Sequence, residues 1–456
     1  MKPKLNPMPA PAAEPAAEPP VETGDIRFGK RSTYAAGLKA VKESLATATT
    51  EMGPLRGMKA LLALNQKDGF DCQSCAWPSP DEDRSAFEFC ENGAKAVADE
   101  GMTQSATPEF FARYSVAELA AQSDHWLGKQ GRLVTPMVLR PGATHYAPIP
   151  WDDAFSLLAR ELSALGSPNE AAFYTSGRTS NEAAFLYQLF GRAFGTNNLP
   201  DCSNMCHESS GSALTPMIGI GKGCVTLEDF GKADAIFILG QNPGTNHPRM
   251  LTALQHAKRG GCRIVSINPM PEVGTTAFVN PQDFMNPLRA PGALAGRATR
   301  LADLWLQARI NGDMEVMQGI MKAMLEEEDR RPGEILDRPF IETYSTGFQE
   351  LCAHLRATPW DAITAGSGLA EAQIREAAGI AMGAKNIIAC WAMGLTQHRN
   401  AVGTIQEVLN FLLLRGNIGR PGAGPCPVRG HSNVQGDRTM GIWEKPGREF
   451  LDRLAK

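Results

Sequence analysis

Asp234-Ala235-Ile236-Phe237-Ile238-Leu239-Gly240, followed by Gln241-Asn242-Pro243-Gly244, is the stretch that decides the fold. An apolar run with no polar interruption reads as a central parallel strand, because a strand with one wet face would alternate. The turn after it holds glycine, proline and amides, which end a strand and leave polar groups at its tip. A helix is expected near 247–259, then a strand over Cys262-Arg263-Ile264-Val265-Ser266-Ile267 ending at Asn268-Pro269. That strand–helix–strand unit has the size of a parallel crossover. Further out, Asp152 to Leu165 is helical by periodicity. Ala171-Ala172-Phe173-Tyr174-Thr175 reads as a short buried strand ending at Ser176-Gly177, and 180–193 as a helix. Helices fill much of 300–382. A strand over Asn386–Trp391 ends at Ala392-Met393-Gly394, and a helix over 403–415 precedes a glycine-rich loop. Such alternation predicts open parallel sheets wrapped by helices.

The 456 residues suggest two to four domains. Hydrophobic content of 43% and charged content of 21% fit a soluble globular protein. The net charge of −4 implies no basic face for nucleic acid. No apolar run reaches the roughly 18 residues of a membrane span. No secretory signal is legible, and Lys30-Arg31 lacks the apolar segment of a twin-arginine signal, so a cytoplasmic location is expected. Residues 1 to about 24 are rich in Pro, Ala and Glu and are expected to be disordered. Order is expected to begin near Gly57. Ten cysteines without pairing spacings suggest free thiols or metal ligands, with four or five, Cys262 and Cys390 among them, packed as small hydrophobes.

Three strands end in polar or glycine-rich turns: Ser176-Gly177, Gly240 to Gly244, and Met393-Gly394-Leu395-Thr396-Gln397-His398. Ligands of open parallel sheets bind beyond the carboxyl ends of strands, so turns rich in Asn, Gln and His point to a large polar cofactor. The P-loop and the glycine fingerprint of NAD-binding units are absent, which disfavours an NAD-linked dehydrogenase. Cys72-x2-Cys75, with Cys90 further on, is a set able to hold zinc or an iron–sulfur cluster, or else a group of buried thiols. Cys206-His207 lies in a loop reading Asp201-Cys202-Ser203-Asn204-Met205-Cys206-His207-Glu208. A soft thiolate beside an imidazole that titrates near neutrality is a pairing that metal-centred redox chemistry can use.

Several co-linear segments resemble the molybdopterin-dependent oxidoreductases of the formate dehydrogenase type, and among them the YdeP-like branch. They are Gly69-Phe70-Asp71-Cys72-x2-Cys75-Ala76-Trp77-Pro78, Phe89 to Lys95, Asn204 to Glu208, Gly240-Gln241-Asn242-Pro243-x2-Asn246-His247-Pro248, Gly394 to His398, and Arg429 to Gly436. The resemblance implies an α/β fold with a small N-terminal iron–sulfur-type domain and two doubly wound parallel-sheet domains. It implies molybdenum or tungsten held by two molybdopterin guanine dinucleotides, a Mo-bis(pterin guanine dinucleotide) centre. Cys206 falls where the family places a cysteine or selenocysteine ligand, His207 where it places a histidine beside the metal, and Arg429 where an arginine would hold an anionic substrate. Gly240, Asn242, Asn246, Asn268, Gln397, His398, Asn433 and Gln435 fall in segments that line the dinucleotides. Lys95 resembles a lysine bridging cluster and pterin, and Cys72, Cys75 and Cys90 fall at ligands of a 4Fe–4S cluster.

The expected partition is 1–56 tail and lead-in, 57–110 iron–sulfur-type domain, 111–205 with 385–456 as one dinucleotide-binding domain, and 206–384 as the other. The chain departs from the family where Ser79 stands near the place of a further cluster cysteine, and where His431 replaces the glutamine of formate dehydrogenases. Relatives are expected to continue beyond Lys456 into a domain that closes over the cofactor. The expected function is two-electron oxidation or reduction of a small anionic substrate, with an electron-acceptor protein as a partner. The rival readings are an inactive remnant and a split subunit needing a partner that carries the closing domain.

Overall fold

The computed structural model describes residues 32–455, so the Pro/Ala/Glu tail lies outside the described residues. Two compact units are present, one built on Ser105–Ile149 and one on Thr33–Gln104 with residues 150–455. The first holds three short helices, a parallel pair of two-residue strands and a small antiparallel hairpin, Met137–Val138 with Ala147–Pro148. Its aromatic residues cluster, with Trp126 tilted against Phe110 and edge-on to Tyr114.

In the second unit order begins well before Gly57. Helix α1 (Gly37–Met52) and α2 (Pro54–Ala63) pack with α3 (Glu91–Gly101) around Ala48, Met52, Leu61, Leu64, Ala94 and Val97. The lead-in is therefore a helix that buries one face, not an extension of the tail.

The centre of this unit is a five-stranded sheet of β1 (Ala235–Leu239), β2 (Arg263–Ile267), β3 (Leu304–Leu306), β4 (Ile387–Trp391) and β5 (Gly424–Pro427). Every pairing is parallel and the order is β5-β4-β1-β2-β3. All five residues of β1 are fully buried. Phe237 and Leu239 enter a core with Val316, Ile320, Val408 and Phe411 on one face, while Ile236 and Ile238 meet Met250, Leu251 and Leu254 on the other. The helices supplying these are α6 (Pro248–Arg259), α7 (Asp313–Arg330) and α8 (Ala401–Leu414). Double cover explains the uninterrupted apolar run. Cys262 and Cys390 are buried in the second core, as expected of small hydrophobes.

The α/β class with parallel strands stands, but the partition differs. Strands β4 and β5, expected in a first sheet with 111–205, lie in the same sheet as β1, β2 and β3. β4 pairs with β1 from Ile387 opposite Ala235 to Trp391 opposite Leu239. Residues 111–149 group apart from 150–205. The strand expected over Ala171–Thr175 is reduced to one bridge, Thr175 to Asp201. Tyr174 is 49% exposed, so that segment has no second covered face to stabilise a full strand. The edge strand β5 reads Gly424-Pro425-Cys426-Pro427, and the Pro425 carbonyl accepts from Cys224 N–H on the side away from β4. Among the described residues no helix is long and apolar enough to cross a membrane.

Candidate functional site

From β1 the chain runs to β2 and β3 on one side, then returns to β4 on the other. The boundary between β1 and β4 is the switch point of the sheet, where a crevice opens beyond the strand ends. Two glycines meet there. The Gly394 N–H donates to the Gly240 carbonyl at 3.0 Å. A Cβ on Gly394 would stand 2.5 Å from Gly240 backbone atoms, and Gly240 has φ +54°, so neither position admits a side chain without movement.

A cavity of about 260 Å³ lies at this point, lined among others by Gly240, Gln241, Asn242, Asn268, Glu272, Asp313 and His398. Four of the residues expected to line a dinucleotide, Gly240, Asn242, Asn268 and His398, are thus gathered. Asn242 donates to Glu272 Oε2 at 2.6 Å and accepts from Thr245 N–H; Asn268 donates to the Gln241 carbonyl at 3.1 Å. Gln241, one of the lining residues, is 2% exposed, and its buried Oε1 has no partner. Burial pushes the Asp313 carboxyl up to about 7 and also raises Glu272.

Cys206 lies nearby, not in a loop but at the end of the one-turn helix α4 (202–206), which precedes a longer helix over 208–218. Asp201 and Asn204 form a reciprocal capping box that closes this turn. Gln397 Nε2 donates to the Met205 carbonyl at 3.0 Å, so the turn after β4 holds the cysteine-bearing helix, and Gln397 acts as a tether and not as a cavity wall. The Cys206 thiol is buried, which raises its pKa against the opposing pull of the Gly430 N–H and the Arg429 charge.

His207 does not match the titrating imidazole expected. It is 1% exposed, its Nε2–H donates to the Val428 carbonyl at 3.1 Å, and its Nδ1 accepts from the Ser210 hydroxyl at 2.7 Å. Burial, then the Arg429 charge, pushes its pKa down to about 3. Such a ring stays neutral and has no nitrogen left for a proton transfer. Arg429 is 8% exposed; one guanidinium nitrogen donates to the Gly221 carbonyl at 3.1 Å, and its Nε has no partner. It lines a second cavity of about 220 Å³ with Trp77, Lys222, Phe230 and Gln435. His431 Nδ1 lies 3.1 Å from Cys202 Sγ.

The other expected residues are dispersed. Asn433 donates to the Thr179 carbonyl at 2.7 Å and Asn246 contacts His247 Nδ1 at 2.7 Å, so both side chains bond within the protein. Lys95 is exposed and pairs with Glu91 one turn away at 2.6 Å, a solvated pair.

The thiols of the N-terminal segment do come together. A Cβ on Gly93 would stand 3.0 Å from Cys72 Sγ and 3.8 Å from Cys90 Sγ, and the charges of Cys72, Cys75 and Cys90 act on one another. Burial raises all three, Cys90 to about 12. Among the described residues no group of three or more His, Cys, Asp or Glu is arranged to hold a single metal ion. Ser79, near the place of a further cysteine, takes a hydrogen bond from Arg249, which is locked to Glu88 at 2.6 Å. Among the described residues the donor set gathered here is three soft sulfurs.

Gln241, Glu272, Asp313, Cys202 and His247 escaped the sequence reading as site residues. Gln241 was visible as the neighbour of Gly240. Asp313 and Glu272 lie outside every strand-end motif, and only the fold brings them in.

A family model described as molybdopterin oxidoreductase matches residues 132–442. An uncharacterised oxidoreductase of Mycobacterium tuberculosis is 54% identical over 431 residues, covering 94% of this chain and 54% of that protein. Protein YdeP of Escherichia coli is 45% identical over 427 residues, covering 92% and 55%. Formate dehydrogenase H of Escherichia coli is 28% identical over 327 residues, covering 70% and 42%. The chain spans about half the length of the curated relatives it matches. Acetylene hydratase from Pelobacter acetylenicus shares the fold, with a TM-score of 0.50 at 19% identity over 64% of this chain and 36% of that one.

Proposed function

This chain belongs to the molybdopterin oxidoreductase family, in its YdeP branch, and we propose that it carries the cofactor-binding core of a formate dehydrogenase-type enzyme. The cofactor proposed is molybdenum held by two molybdopterin guanine dinucleotides, with Cys206 as the protein ligand. When bound, that group supplies the two-electron redox step.

The observation that carries the reading is the cavity at the β1/β4 switch point. Its donor set suits a nucleotide. Gln241 Oε1 is a buried acceptor awaiting an N–H or O–H donor. Asp313, held near neutrality by burial, accepts paired N–H donors once ionised, and a guanine ring offers such a pair. The close contact of Gly240 and Gly394 leaves backbone, not side chain, facing the ligand. From this cavity one tether, Gln397 to the Met205 carbonyl, leads to the residue before Cys206. Arg429, whose charge acts on the thiol and whose Nε has no partner, is proposed to orient an anionic substrate. An iron–sulfur cluster at Cys72, Cys75 and Cys90 is the further element of this reading, supported by the three gathered thiols.

Elemental analysis of anaerobically purified protein, expressed with molybdate, tests the reading. Stoichiometric molybdenum in the wild type, lost in Cys206→Ser, is expected. Metal-free wild-type protein defeats it; unchanged metal and turnover in Cys206→Ser defeat the ligand assignment alone.

A further inference from the structure

The backbone 428–430 is gripped at three successive residues. The His207 Nε2–H donates to the Val428 carbonyl at 3.1 Å. His247, 2% exposed, meets the Arg429 carbonyl with Nε2 at 2.7 Å. Gly430 follows, and a Cβ on it would lie 3.8 Å from Cys206 Sγ, so its backbone packs on that sulfur, whose pKa its N–H lowers.

The tautomers follow from the partners. Trp391 Nε1–H donates to Ser210 Oγ at 2.9 Å, which leaves the Ser210 hydrogen free for His207 Nδ1. His207 must then carry its proton on Nε2, facing the Val428 carbonyl. His247 faces a carbonyl with Nε2, so its proton is there too. Its Nδ1 becomes an acceptor, which requires the Asn246 amide to turn its NH2 toward the 2.7 Å contact, with Gln241 Nε2 at 3.4 Å beyond. The Val428 N–H, for its part, donates to the Trp391 carbonyl at 2.9 Å.

We infer that His247 is a positioning residue: together with His207 it clamps the peptide 428–430, so that the Gly430 N–H stays aimed at Cys206 Sγ and Arg429 stays beside it. An N–H donated to a thiolate takes charge from the sulfur, and a ligand sulfur so treated gives less charge to its metal. The clamp therefore tunes the proposed ligand without touching it. The inference rests on the reading of Cys206 as a ligand for its consequence, but not for the clamp itself.

The test compares His247→Leu, which removes the donor, with His247→Gln, which keeps an N–H at similar reach. Hydrogen exchange of intact protein, read by mass spectrometry, needs no metal. In His247→Leu the amides of 428–433 are expected to exchange about tenfold faster, the factor that loss of one buried hydrogen bond gives, while β1 and β4 remain protected. His247→Gln restores slow exchange. In metal-loaded protein the Mo(V) paramagnetic resonance shifts in His247→Leu and returns in His247→Gln. Equal exchange in all three proteins overturns the clamp. Faster exchange with an unmoved resonance overturns the tuning. Absence of molybdenum in the wild type defeats the proposed function and leaves the exchange result to judge the clamp. If His247→Leu does not fold, His247→Asn, whose shorter amide falls short of the carbonyl, takes its place; collapse of both Leu and Asn variants assigns His247 to stability alone and overturns the inference.

Discussion

The two regions that carry the candidate chemistry are built in opposite ways. Around Cys206 a hydrogen-bonded chain is in place: His207, Ser210 and Trp391 pass hydrogen bonds in one direction, and the strand ends at Gly240 and Gly394 are bonded to each other. Around Cys72, Cys75 and Cys90 the thiols are merely packed, raised by burial, with weak sulfur bonds to Ser74 and Gly93 amides. Among the ties of that second region to the sheet are a buried ion pair, Arg249 with Glu88, whose side chains are 11% and 8% exposed, the Asn92 amide on the Thr245 carbonyl and the Trp77 ring against Phe230. A wired site resists change at any member. A packed site tolerates loss of a thiol and suffers most from loss of its buried ion pair.

The largest effect is therefore expected at that pair. Arg249→Ala leaves Glu88 charged and buried, which should destabilise the protein by about 3–5 kcal/mol in urea unfolding; a loss below about 1 kcal/mol breaks the comparison. Next comes Gly394→Ala. Its Cβ would press on Gly240 backbone at 2.5 Å, and a cost of about 3 kcal/mol is expected, the upper range for overpacking against backbone. Gly430→Ala, with ordinary contact at 3.8 Å, is the control and should cost far less.

The Asp313 carboxyl gives an effect of pH. Its pKa in the folded protein is raised to about 7 by burial, so the folded form holds a proton that the unfolded chain releases near pH 4. Stability from this group is full in acid and is lost as pH rises through about 7. The unfolding free energy from urea titration should fall between about pH 4 and about pH 7 by an amount on the order of 2–4 kcal/mol, and Asp313→Asn should remove the fall. Smaller still, Trp391→Phe strips the donor from Ser210 and should cost about 1–2 kcal/mol while loosening His207. Smallest, Cys90→Ala loses a sulfur cap on α3 and should cost below about 1 kcal/mol in metal-free protein; a loss like that of Arg249→Ala would show that the thiols are wired after all.

Strands and helices were legible where burial on both faces left an uninterrupted run, as at Ala235–Leu239, Arg263–Ile267 and Ile387–Trp391. Which strands share a sheet was not. Such runs carry no mark of their partner, and β4 finds β1 about 150 residues away in the chain. The helix bearing Cys206 is one turn long, too short for periodicity, although its capping pair Asp201 and Asn204 stood in plain view. Turn residues at strand tips were legible because the tips of parallel strands face ligands. The constraint on His207 was half legible: Ser210 lies one turn along its own helix, but Val428 and Trp391 are brought by the fold alone.

The prolines of β5 have one further consequence. Pro425 turns its carbonyl outward to Cys224, so the positions of Pro425 and Pro427 that face outward are those where the chain has no N–H. The segment 223–225 lies along that flank, with the Cys224 N–H already on the Pro425 carbonyl, so an approaching strand meets no free donor from the two prolines and a covered Pro425 acceptor. Polymerisation by sheet extension is thereby discouraged at one margin of the molecule, through two imino acids that take no part in chemistry.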